Sequence, residues 1–333
     1  MVAPHSWLIT GGCGFIGSSL VSYLLEMKAG LRIRVLDNLS VGGRKDLVTV
    51  CGFQESERTA PDTWQTAGGT CELMVGDIQD PETCFKAAQG AEVIAHLAAN
   101  TGVGPSVDDP RGDMQANVLG TLNMLEAARH SGAHKFIFAS SGAPLGEVSP
   151  PIHEELAPHP VSPYGASKLA GEGYCSAYFR TFGLKTVALR FGNVYGPGST
   201  HKSSLVAKFI KQALEGRVCE IFGDGTQTRD FIYRDDLLEA ILKSARADIG
   251  GEIFQIATSK EHSVNEVSES IRQRLKKHRI SMEINHTEPR MGDVQRNYSD
   301  TTKARDVLGW TPKEPLDSGL EKTVRFFLAQ ALS

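Results

Sequence analysis

The sequence lacks the features that mark a membrane protein or a nucleic-acid-binding protein. No apolar run approaches the roughly 20 residues that span a bilayer, and no basic region with a long apolar stretch opens the chain. The formal net charge is −4, which provides no attraction for nucleic acid or for an anionic membrane surface. We therefore expect no nucleic-acid partner, no membrane partner and no secretion signal.

Cysteine is also scarce. The chain has six cysteines, and no two of them stand at CxxC spacing. A chain of 333 residues builds a core without disulfides. We expect free thiols and a cytoplasmic location, and we expect no metal site because the histidines also lack ligand spacing.

What the first half does contain is an alternation of short apolar runs with longer helical patterns. The predicted strands are SWLIT, RIRVLD, CELMVGD, EVIAHLAA, KFIFASS, KTVALRFGN and EIFQIAT. This alternation predicts an α/β fold with a doubly wound, mostly parallel, seven-stranded sheet covered by helices on both faces. The polar stretch 51–71 is expected to be a surface insertion without stable structure.

After about residue 191 the alternation loosens, which predicts a smaller C-terminal α/β lobe. The first predicted domain comprises residues 1–190, with 233–257 returning to it. The second comprises 191–232 and 258–333. Ligands of open α/β sheets bind at the carboxyl edge of the strands, so the lobe is expected to pack at that edge.

The strongest local signal is ITGGCGFIGSSL, which places Gly11, Gly14 and Gly17 directly after a strand and at the start of a helix. Glycines there let the backbone approach a pyrophosphate, and the helix N-terminus offers free amides. Asp37 ends the second strand, 20 residues after Gly17, where a carboxylate accepts hydrogen bonds from ribose hydroxyls and repels a 2′-phosphate. Neither Arg34 nor Arg44 clearly overturns this preference. The pattern predicts a Rossmann-type domain that binds NAD rather than NADP.

Segments after the third and fourth strands extend the predicted cofactor site. Asp77 and Ile78 are placed to contact adenine, and HLAA brings small residues where a dinucleotide would pass. The full predicted cofactor set is Gly11, Gly14, Phe15, Ile16, Gly17, Asp37, Asn38, Asp77, Ile78, Leu97, Ala98, Ala99, Tyr164 and Lys168.

The segment SPYGASK holds Tyr164 and Lys168 four residues apart at a predicted helix start, so both lie on one helix face. An ammonium and a cationic nicotinamide ring near a phenol favour its phenolate, which suits general acid–base catalysis. Lysine can also hold the nicotinamide ribose. Ser141 lies 23 residues before Tyr164, at the end of an apolar strand.

The ordered set of motifs resembles the extended short-chain dehydrogenases/reductases of the NAD-dependent sugar-nucleotide epimerase/dehydratase family. The resemblance runs nearly end to end, through TGGCGFIG, DNLSVG, HLAA, SSGAPLG, SPYGASK, LRFGNVYGPG, FGDGTQTRDFIYRDD and PRMGDVQRNYSD. It implies that Tyr164 takes a proton from a sugar hydroxyl while a hydride passes to NAD. Ser141 would hydrogen-bond the reacting oxygen, and Lys168 would complete the triad. The keto-sugar then turns and receives the hydride on its other face.

The loop after Ser141 departs from the family. Dehydratases of the family carry Asp and Glu at the places of Gly142 and Ala143, and UDP-glucuronate decarboxylases rely on a Glu at the place of Ala143. Neither residue here exchanges a proton, which leaves epimerisation at C4 of a UDP-hexose as the predicted reaction. Pro144-Leu145 replaces the family's Val-Tyr, which removes an aromatic side chain expected near the sugar and stiffens the turn.

The resemblance also implies a nucleotide-sugar site, in which arginine suits a diphosphate because its planar fork donates two hydrogen bonds. UDP is expected on family frequency alone, and the hexose stays open. The predicted substrate-binding set is Thr101, Val103, Ser106, Ser141, Gly142, Asn193, Phe222, Arg229, Arg290 and Asp293.

Two alternatives and one partner complete the interpretation. A dehydratase or decarboxylase with an unusual acid would release water or carbon dioxide from the sugar. A non-catalytic NAD-binding scaffold would not need the intact Ser141, Tyr164 and Lys168. The family implies a homodimer through a four-helix bundle formed by helices at about 112–131 and 164–181, although core packing also explains the apolar positions of the first helix.

Overall fold

The computed structural model describes residues 4–27, 30–56, 71–202, 204–289 and 294–332. The strands are β1 (Ser6–Thr10), β2 (Arg32–Asp37), β3 (Gln54–Ser56), β4 (Cys71–Val75), β5 (Val93–His96), β6 (Lys135–Ser141), β7 (Lys185–Phe191), β8 (Asn193–Tyr195), β9 (Cys219–Phe222), β10 (Thr228–Arg229), β11 (Phe231–Tyr233), β12 (Glu252–Ile256), β13 (His262–Ser263) and β14 (Ile284–Thr287).

The α-helices are α1 (Phe15–Met27), α2 (Arg44–Val48), α3 (Pro81–Ala88), α4 (Val103–Asp108), α5 (Pro110–Met114), α6 (Gly120–Ser131), α7 (Pro163–Phe182), α8 (Leu205–Leu214), α9 (Arg234–Arg246), α10 (Val264–Lys277), α11 (Thr302–Leu308) and α12 (Leu316–Ala331). A π-helical turn spans Gln115–Leu119, and a 3-10 turn spans Ala143–Leu145. In the described part of the chain, no helix has the length and apolar character needed to cross a membrane.

The main sheet has eight strands in the order β12-β7-β6-β5-β1-β2-β4-β3. The pairs β1–β2, β1–β5, β2–β4, β3–β4 and β5–β6 are parallel. All five residues of β1 are buried, as expected for a parallel strand that is covered on both faces. The predicted α/β fold with a mostly parallel sheet is confirmed, and its seven strands are all present.

The eighth strand corrects one expectation. Residues 51–71 were expected to have no stable structure, but Gln54–Ser56 pair in parallel with β4 at the edge of the sheet. A three-residue polar strand at an edge lacks the apolar run that reveals the other seven. Residues 57–70 of this segment lie outside the described residues.

The winding of the sheet reverses at β1, which lies between β5 and β2. In open α/β sheets this reversal opens a crevice at the carboxyl ends of the strands, where ligands bind. The segments that follow β1, β2, β4 and β5 therefore lie around one edge of the sheet.

The chain divides into two compact units. The first comprises Met1–Gly146, Glu154–Arg190 and Leu238–Phe254, and the second comprises Glu147–His153, Phe191–Leu237 and Gln255–Ser333. The predicted boundaries place 147–153 in the first domain, but in the structure Ile152 forms backbone hydrogen bonds with Tyr298 and Asp300 of the second unit. The functions predicted for the two domains stay predictions.

Each unit has its own apolar core. In the first, residues of the sheet such as Leu8, Ile94 and Phe136 pack against the covering helices. The second unit contains the two-stranded pairs β8–β11, β9–β14 and β10–β13. Its core is built largely from α8, α10 and α12, with Phe209 and Ile271 among the buried side chains.

Helix α7 has clear start and stop signals. Ser162 precedes it, and the serine Oγ accepts the Gly165 amide at 3.1 Å. Pro163 occupies the first turn, where its missing N–H costs nothing. Gly183 ends the helix in the left-handed conformation at φ +74°. These signals fix the start of the helix, and so the positions of the Tyr164 and Lys168 side chains on its first turns.

Candidate active site

The loop between β1 and α1 brings its glycines against the end of β5. Gly11 has a φ of +69°, and a Cβ there would lie 2.8 Å from the amide nitrogen of Ala98. A Cβ on Gly17 would lie 2.2 Å from the carbonyl oxygen of Gly11. Gly14 closes the turn by donating its N–H to the Gly11 carbonyl at 3.1 Å. The loop therefore excludes side chains and leaves backbone amides at the start of α1 available to a pyrophosphate.

Asp37 ends β2 beside this loop. One carboxylate oxygen accepts the Cys13 amide at 2.9 Å, and the other accepts the Leu39 amide at 2.8 Å. Burial raises the pKa of Asp37, and these two hydrogen bonds oppose that rise. The loop backbone thus fixes the orientation of the carboxylate.

The two nearby arginines are both engaged by glutamates. Arg34 Nε donates to buried Glu72 at 2.7 Å, and Arg44 binds Glu55 through two hydrogen bonds of 2.7 and 2.6 Å. A 2′-phosphate next to Asp37 would therefore meet a carboxylate, with both arginines already committed to other partners. This arrangement favours NAD over NADP.

Other members of the predicted cofactor set meet at the same sheet edge. Asn38 donates its side-chain N–H to Asp77 at 2.9 Å, which joins the segments after β2 and β4. The amides of Leu97 and Ala98 donate to the Thr10 hydroxyl at 3.2 and 3.1 Å, which joins the segments after β5 and β1.

The remaining members line the surrounding helix and loop. Phe15 and Ile16 are the first residues of α1, and Ala99 is half-buried just after β5. Ile78 is buried against α6, where a Cβ on Gly120 would lie 2.6 Å from the isoleucine Cδ1 atom. A glycine-lined turn, a fixed carboxylate and small residues at one sheet edge fit a dinucleotide.

Ser141, Tyr164 and Lys168 come from two neighbouring elements. Ser141 is the last residue of β6, and its Oγ accepts the Ala143 amide at 3.2 Å. Tyr164 and Lys168 lie on one face of α7, with Lys168 Nζ 5.9 Å from the centre of the tyrosine ring. Ser141 also hydrogen-bonds the Tyr164 side chain. A hydroxyl, a phenol and an ammonium are thereby brought together.

The electrostatics of this group differ from the expectation. Burial raises the pKa of Tyr164, and the hydrogen bond from Ser141 opposes the rise only in part. Burial also lowers the pKa of Lys168 to about 8, against the opposing effect of the carboxylates of Asp113 and Glu172. The protein groups by themselves therefore keep Tyr164 as a phenol at neutral pH. The expected lowering of its pKa requires a further positive charge.

Two buried contacts that sequence reasoning missed hold α7 against β6. Lys168 Nζ donates to the Ala139 carbonyl at 2.8 Å. The Ser140 hydroxyl donates at 2.6 Å to Glu172, which Arg190 also binds through two 2.8 Å hydrogen bonds. Since neighbouring strand residues point to opposite faces, Ser140 anchors the strand and leaves Ser141 to the site. The only signal in the sequence was the serine pair itself.

The spacing between α7 and β6 is set by a glycine. A Cβ on Gly171 would lie 2.4 Å from the Phe138 ring. The same ring lies 4.9 Å from Lys168 Nζ, at cation–π distance. A glycine at this position therefore lets the helix approach the strand closely at the level of the lysine.

Asn117, in the π-helical turn, is a second residue that the sequence did not reveal. Its side-chain amide accepts the Asn100 amide at 2.8 Å and donates to the Asn100 carbonyl at 2.9 Å. It also donates to Asp113 at 2.9 Å and to the Ser167 hydroxyl at 3.3 Å. Asn117 thus connects the loop after β5 to helix α7.

His96 belongs to the same buried framework. Its ring nitrogens hydrogen-bond the Thr10 hydroxyl at 2.8 Å and the Thr121 hydroxyl at 3.1 Å. Burial lowers the pKa of His96 to about 3, and the positive charge of Lys168 acts in the same direction. His96 is therefore neutral at physiological pH and serves the packing of β1, β5 and α6.

The departure from the family at residues 144–145 has a packing role. Pro144 and Leu145 lie in the 3-10 turn, and both are buried, Leu145 completely. Gly142 and Ala143 remain partly accessible beside Ser141, and neither has a titratable group. The turn also requires Gly165, because a Cβ there would lie 2.5 Å from the Ala143 carbonyl oxygen.

Three predicted substrate residues of the second unit line a single cavity of about 320 Å³. Asn193, Phe222 and Arg229 are joined there by Lys208 and Glu220, which sequence reasoning did not single out. Arg229 donates to the carbonyls of Thr228 and Val294 at 2.7 and 2.6 Å. Lys208 Nζ lies 5.9 Å from the centre of the Phe222 ring.

Three other predicted substrate residues lie in the first unit. Thr101 precedes α4 and Val103 begins it, both exposed, and Ser106 is buried with its hydroxyl donating to the Val103 carbonyl at 2.7 Å. Arg290 and Asp293 lie outside the described residues. Among the residues that are described, no three His, Cys, Asp or Glu side chains form a group that could hold a metal ion.

Fold and site together define a dinucleotide-dependent enzyme with a tyrosine–lysine pair beside a serine. The chain belongs to the NAD dependent epimerase/dehydratase family, whose model matches residues 7–257. NAD is accordingly its cofactor, and the glycine turn and Asp37 are the residues that fit it.

Known relatives include both activities in the family's name. The UDP-glucose 4-epimerase of Mycolicibacterium smegmatis is 37% identical over 96% of this chain and 97% of the relative. The crystal structure of the Thermotoga maritima UDP-glucose 4-epimerase with UDP-glucose is 34% identical and has a TM-score of 0.86, covering 98% of this chain and 99% of that one. The dTDP-glucose 4,6-dehydratase DesIV of Streptomyces venezuelae, solved with NAD bound, is 28% identical with a TM-score of 0.86 and 97% of each chain covered. The chain is therefore similar to sugar-nucleotide epimerases and dehydratases over nearly its whole length.

Proposed function

We propose that this protein is an NAD-dependent 4-epimerase of a UDP-hexose. The observation that carries the proposal is the combination of Ser141, Tyr164 and Lys168 with Gly142 and Ala143. The first three supply the groups for oxidation and reduction at a sugar carbon. The other two supply no acid or base for a further step. The full-length similarity to two UDP-glucose 4-epimerases supports this choice.

In the proposed reaction, Tyr164 accepts the proton of the C4 hydroxyl as that carbon is oxidised to a ketone. Ser141 donates a hydrogen bond to the same oxygen, and the Lys168 ammonium favours the charged form of the tyrosine. When bound, NAD supplies the hydride acceptor and a positive charge that favours ionisation of a phenol. Tyr164 then returns its proton as the hydride removed from C4 is given back to the opposite face of the ketone, so the sugar leaves with inverted C4 and no net redox change.

A second candidate is a dehydratase or decarboxylase, as the similarity to DesIV allows. Elimination of water needs a group that removes a proton next to the ketone. The side chains at the two positions concerned are a hydrogen atom at Gly142 and a methyl group at Ala143, and neither can accept a proton. The same absence disfavours decarboxylation. A scaffold without activity is disfavoured because Tyr164 and Lys168 are both present and hydrogen-bonded in place.

For the nucleotide, we propose the cavity of the second unit. Phe222 is 39% exposed at this cavity, where an aromatic face can stack on a base. Arg229 and Lys208 supply positive charge for a diphosphate. We also propose that Arg290 and Asp293 take part, on the family resemblance alone.

The test is a direct product assay. The protein is incubated with UDP-glucose, UDP-N-acetylglucosamine and UDP-glucuronate in turn, and each mixture is followed by proton NMR. We expect one of them to give its C4 epimer with conserved mass. Loss of water or carbon dioxide would establish the second candidate instead, and three inert substrates would remove the UDP-hexose proposal.

We further propose a homodimer formed through α5, the π-helical turn, α6 and α7. Met124 and Leu125 are buried within the chain, so they do not contribute an outer face. Leu119, Tyr174 and Phe182 do remain exposed on these elements, by 45%, 37% and 49%. Exposed apolar side chains on these elements are the residues that a subunit contact would cover.

Light scattering after size-exclusion chromatography measures the mass of the protein in solution and so tests the homodimer. Leu119→Asp should shift the mass toward that of one chain, whereas Val218→Asp, at an exposed valine of the second unit, should not. Equal masses for both variants would argue against this interface.

We also propose a cytoplasmic location, which the six free cysteine thiols support.

A further inference from the structure

The short helix α5 places a buried acidic residue next to the helix that carries the catalytic pair. Asp113 is 3% exposed, and α5 packs against α7. Its Oδ1 accepts the Asn117 amide at 2.9 Å. Its Oδ2 is buried and has no hydrogen-bond partner among the described residues. A half-satisfied buried carboxylate is costly, so the surrounding charges decide whether it is retained as an anion.

Lys168 is the cation on which the Asp113 carboxylate acts. Lys168 is 4% exposed, and one of its three donors is used by the Ala139 carbonyl. On its own helix it is influenced by Glu172 and Cys175, and on β5 it faces His96, which is neutral. The centre of the Tyr164 ring lies 5.9 Å from the Lys168 Nζ.

The two carboxylates near Lys168 differ in their partners. Glu172 is bound by Arg190 through two 2.8 Å hydrogen bonds and by Ser140 through one, so its charge is already balanced. Among the described residues, the Asp113 carboxylate accepts a side-chain hydrogen bond only from the neutral amide of Asn117. Glu172 is bound by an arginine, whereas Asp113 is not bound by any arginine in the described part of the chain, so the negative charge of Asp113 acts on the Lys168 ammonium.

We propose that Asp113 is a positioning residue of the active site, whose carboxylate, held by Asn117, is the counter-charge that keeps the buried Lys168 protonated. Asp113 acts through Lys168 and does not touch the substrate. Consistent with this, it opposes the loss of the Lys168 proton and also raises the pKa of Tyr164. The Asp113 carboxylate thereby raises the pH range in which Tyr164 and Lys168 work together.

The matched test is Asp113→Asn against Asp108→Asn. An asparagine at 113 has the same shape and its oxygen can still accept from Asn117, so mainly the charge is lost. Asp108 is exposed on α4, and its substitution removes the same charge from the neighbouring surface. Protein labelled with ¹³C at lysine Cε reports the ionisation of each lysine, and Lys168→Arg identifies the signal of Lys168.

We expect Lys168 to titrate near pH 8 in the wild type. In Asp113→Asn the midpoint should fall by about one pH unit, because an opposite charge nearby shifts a pKa by roughly one to three units. Asp108→Asn should leave it in place, and Asp113→Glu should restore part of the shift. An unchanged midpoint in Asp113→Asn would overturn the inference.

Turnover gives a second readout, which rests on the proposed function. Both limbs of the pH profile of kcat/KM should move to lower pH in Asp113→Asn, since Asp113 raises the pKa of Tyr164 and of Lys168 alike. A residue needed only for packing would lower the rate without moving the limbs. If the wild type turns over no UDP-hexose, the proposed function fails while the lysine titration still decides the role of Asp113.

If Asp113→Asn does not fold, the wild type alone provides the test. The Lys168 signal, identified with Lys168→Arg, should be that of an ammonium at pH 7, below its midpoint near pH 8. A neutral Lys168 at pH 7 would overturn the inference, because no counter-charge would then be keeping the lysine protonated.

Discussion

The cofactor loop of the first unit and the cavity of the second unit are built in opposite ways. In the loop, Gly11 and Gly17 bring backbone against backbone, with no room for a side chain at either position. In the cavity, side chains on short strands and on α8 form the lining, and Phe222 among them is 39% exposed. A side chain at Gly11 or Gly17 would clash with neighbouring backbone atoms. Residues that line the cavity, by contrast, can be substituted one at a time.

The contrast has a functional meaning. A site made of close backbone contacts suits a cofactor that is the same in every reaction. A cavity lined by side chains suits a group that differs between related enzymes. We therefore expect substitutions in the first unit to alter turnover or cofactor binding, and substitutions in the cavity to alter KM alone.

The largest effect is expected for Tyr164→Phe. The variant loses the group that carries the proton, so kcat should fall about 10²- to 10⁴-fold. NAD binding, measured by fluorescence quenching, should be nearly unchanged because the ring and Lys168 remain. A variant that keeps wild-type turnover would show that the proton is carried elsewhere.

A smaller effect is expected for Gly17→Ala. The new methyl would meet the Gly11 carbonyl at 2.2 Å, and overpacking of this kind costs about 1–3 kcal/mol, which corresponds to roughly a 5- to 150-fold loss of NAD affinity. Isothermal titration of NAD checks this value.

The control for Gly17→Ala is Gly173→Ala on α7, where a Cβ meets no atom within 4 Å. This exposed helical position should gain stability of about 1 kcal/mol and keep its NAD affinity. Equal losses in both variants would mean that the cofactor loop is not shaped by its glycines.

The smallest effect is expected for Phe222→Ala in the cavity. Loss of a stacked aromatic ring costs about 1–3 kcal/mol, and the partly exposed Phe222 belongs at the low end of that range. KM for the UDP-sugar should therefore rise about 5-fold with little change in kcat. Val218→Ala removes an exposed side chain close by in sequence that does not line the cavity, and it should change neither constant. A fall in kcat for Phe222→Ala would erase the distinction between the two units.

The features that could be predicted from sequence are those with a local cause. Seven strands were visible because each is a buried apolar run, and the glycine turn was visible because its shape forbids other residues. The strand Gln54–Ser56 was missed since it is short and polar, and its pairing with β4 comes from a distant segment.

The interactions that hold the active site together have no local signal. The contact of Ser140 with Glu172 joins residues 32 apart in the chain, and that of Glu172 with Arg190 spans 18. Asn117 connects Asn100 to Ser167 through a π-helical turn, which no periodicity predicts. These residues became recognisable only when the fold brought their partners together.

The close approach of α7 to β6 at Gly171 also bears on how this enzyme can be re-engineered. The Phe138 ring meets the helix backbone where a methyl group would lie 2.4 Å from it. The Phe138 ring therefore fills the space that a methyl group on Gly171 would need, so a side chain can be added at 171 only when the residue at 138 becomes smaller. A library aimed at new sugars should vary Gly171 and Phe138 only as a pair, and should seek its diversity first on the accessible side chains of the second unit.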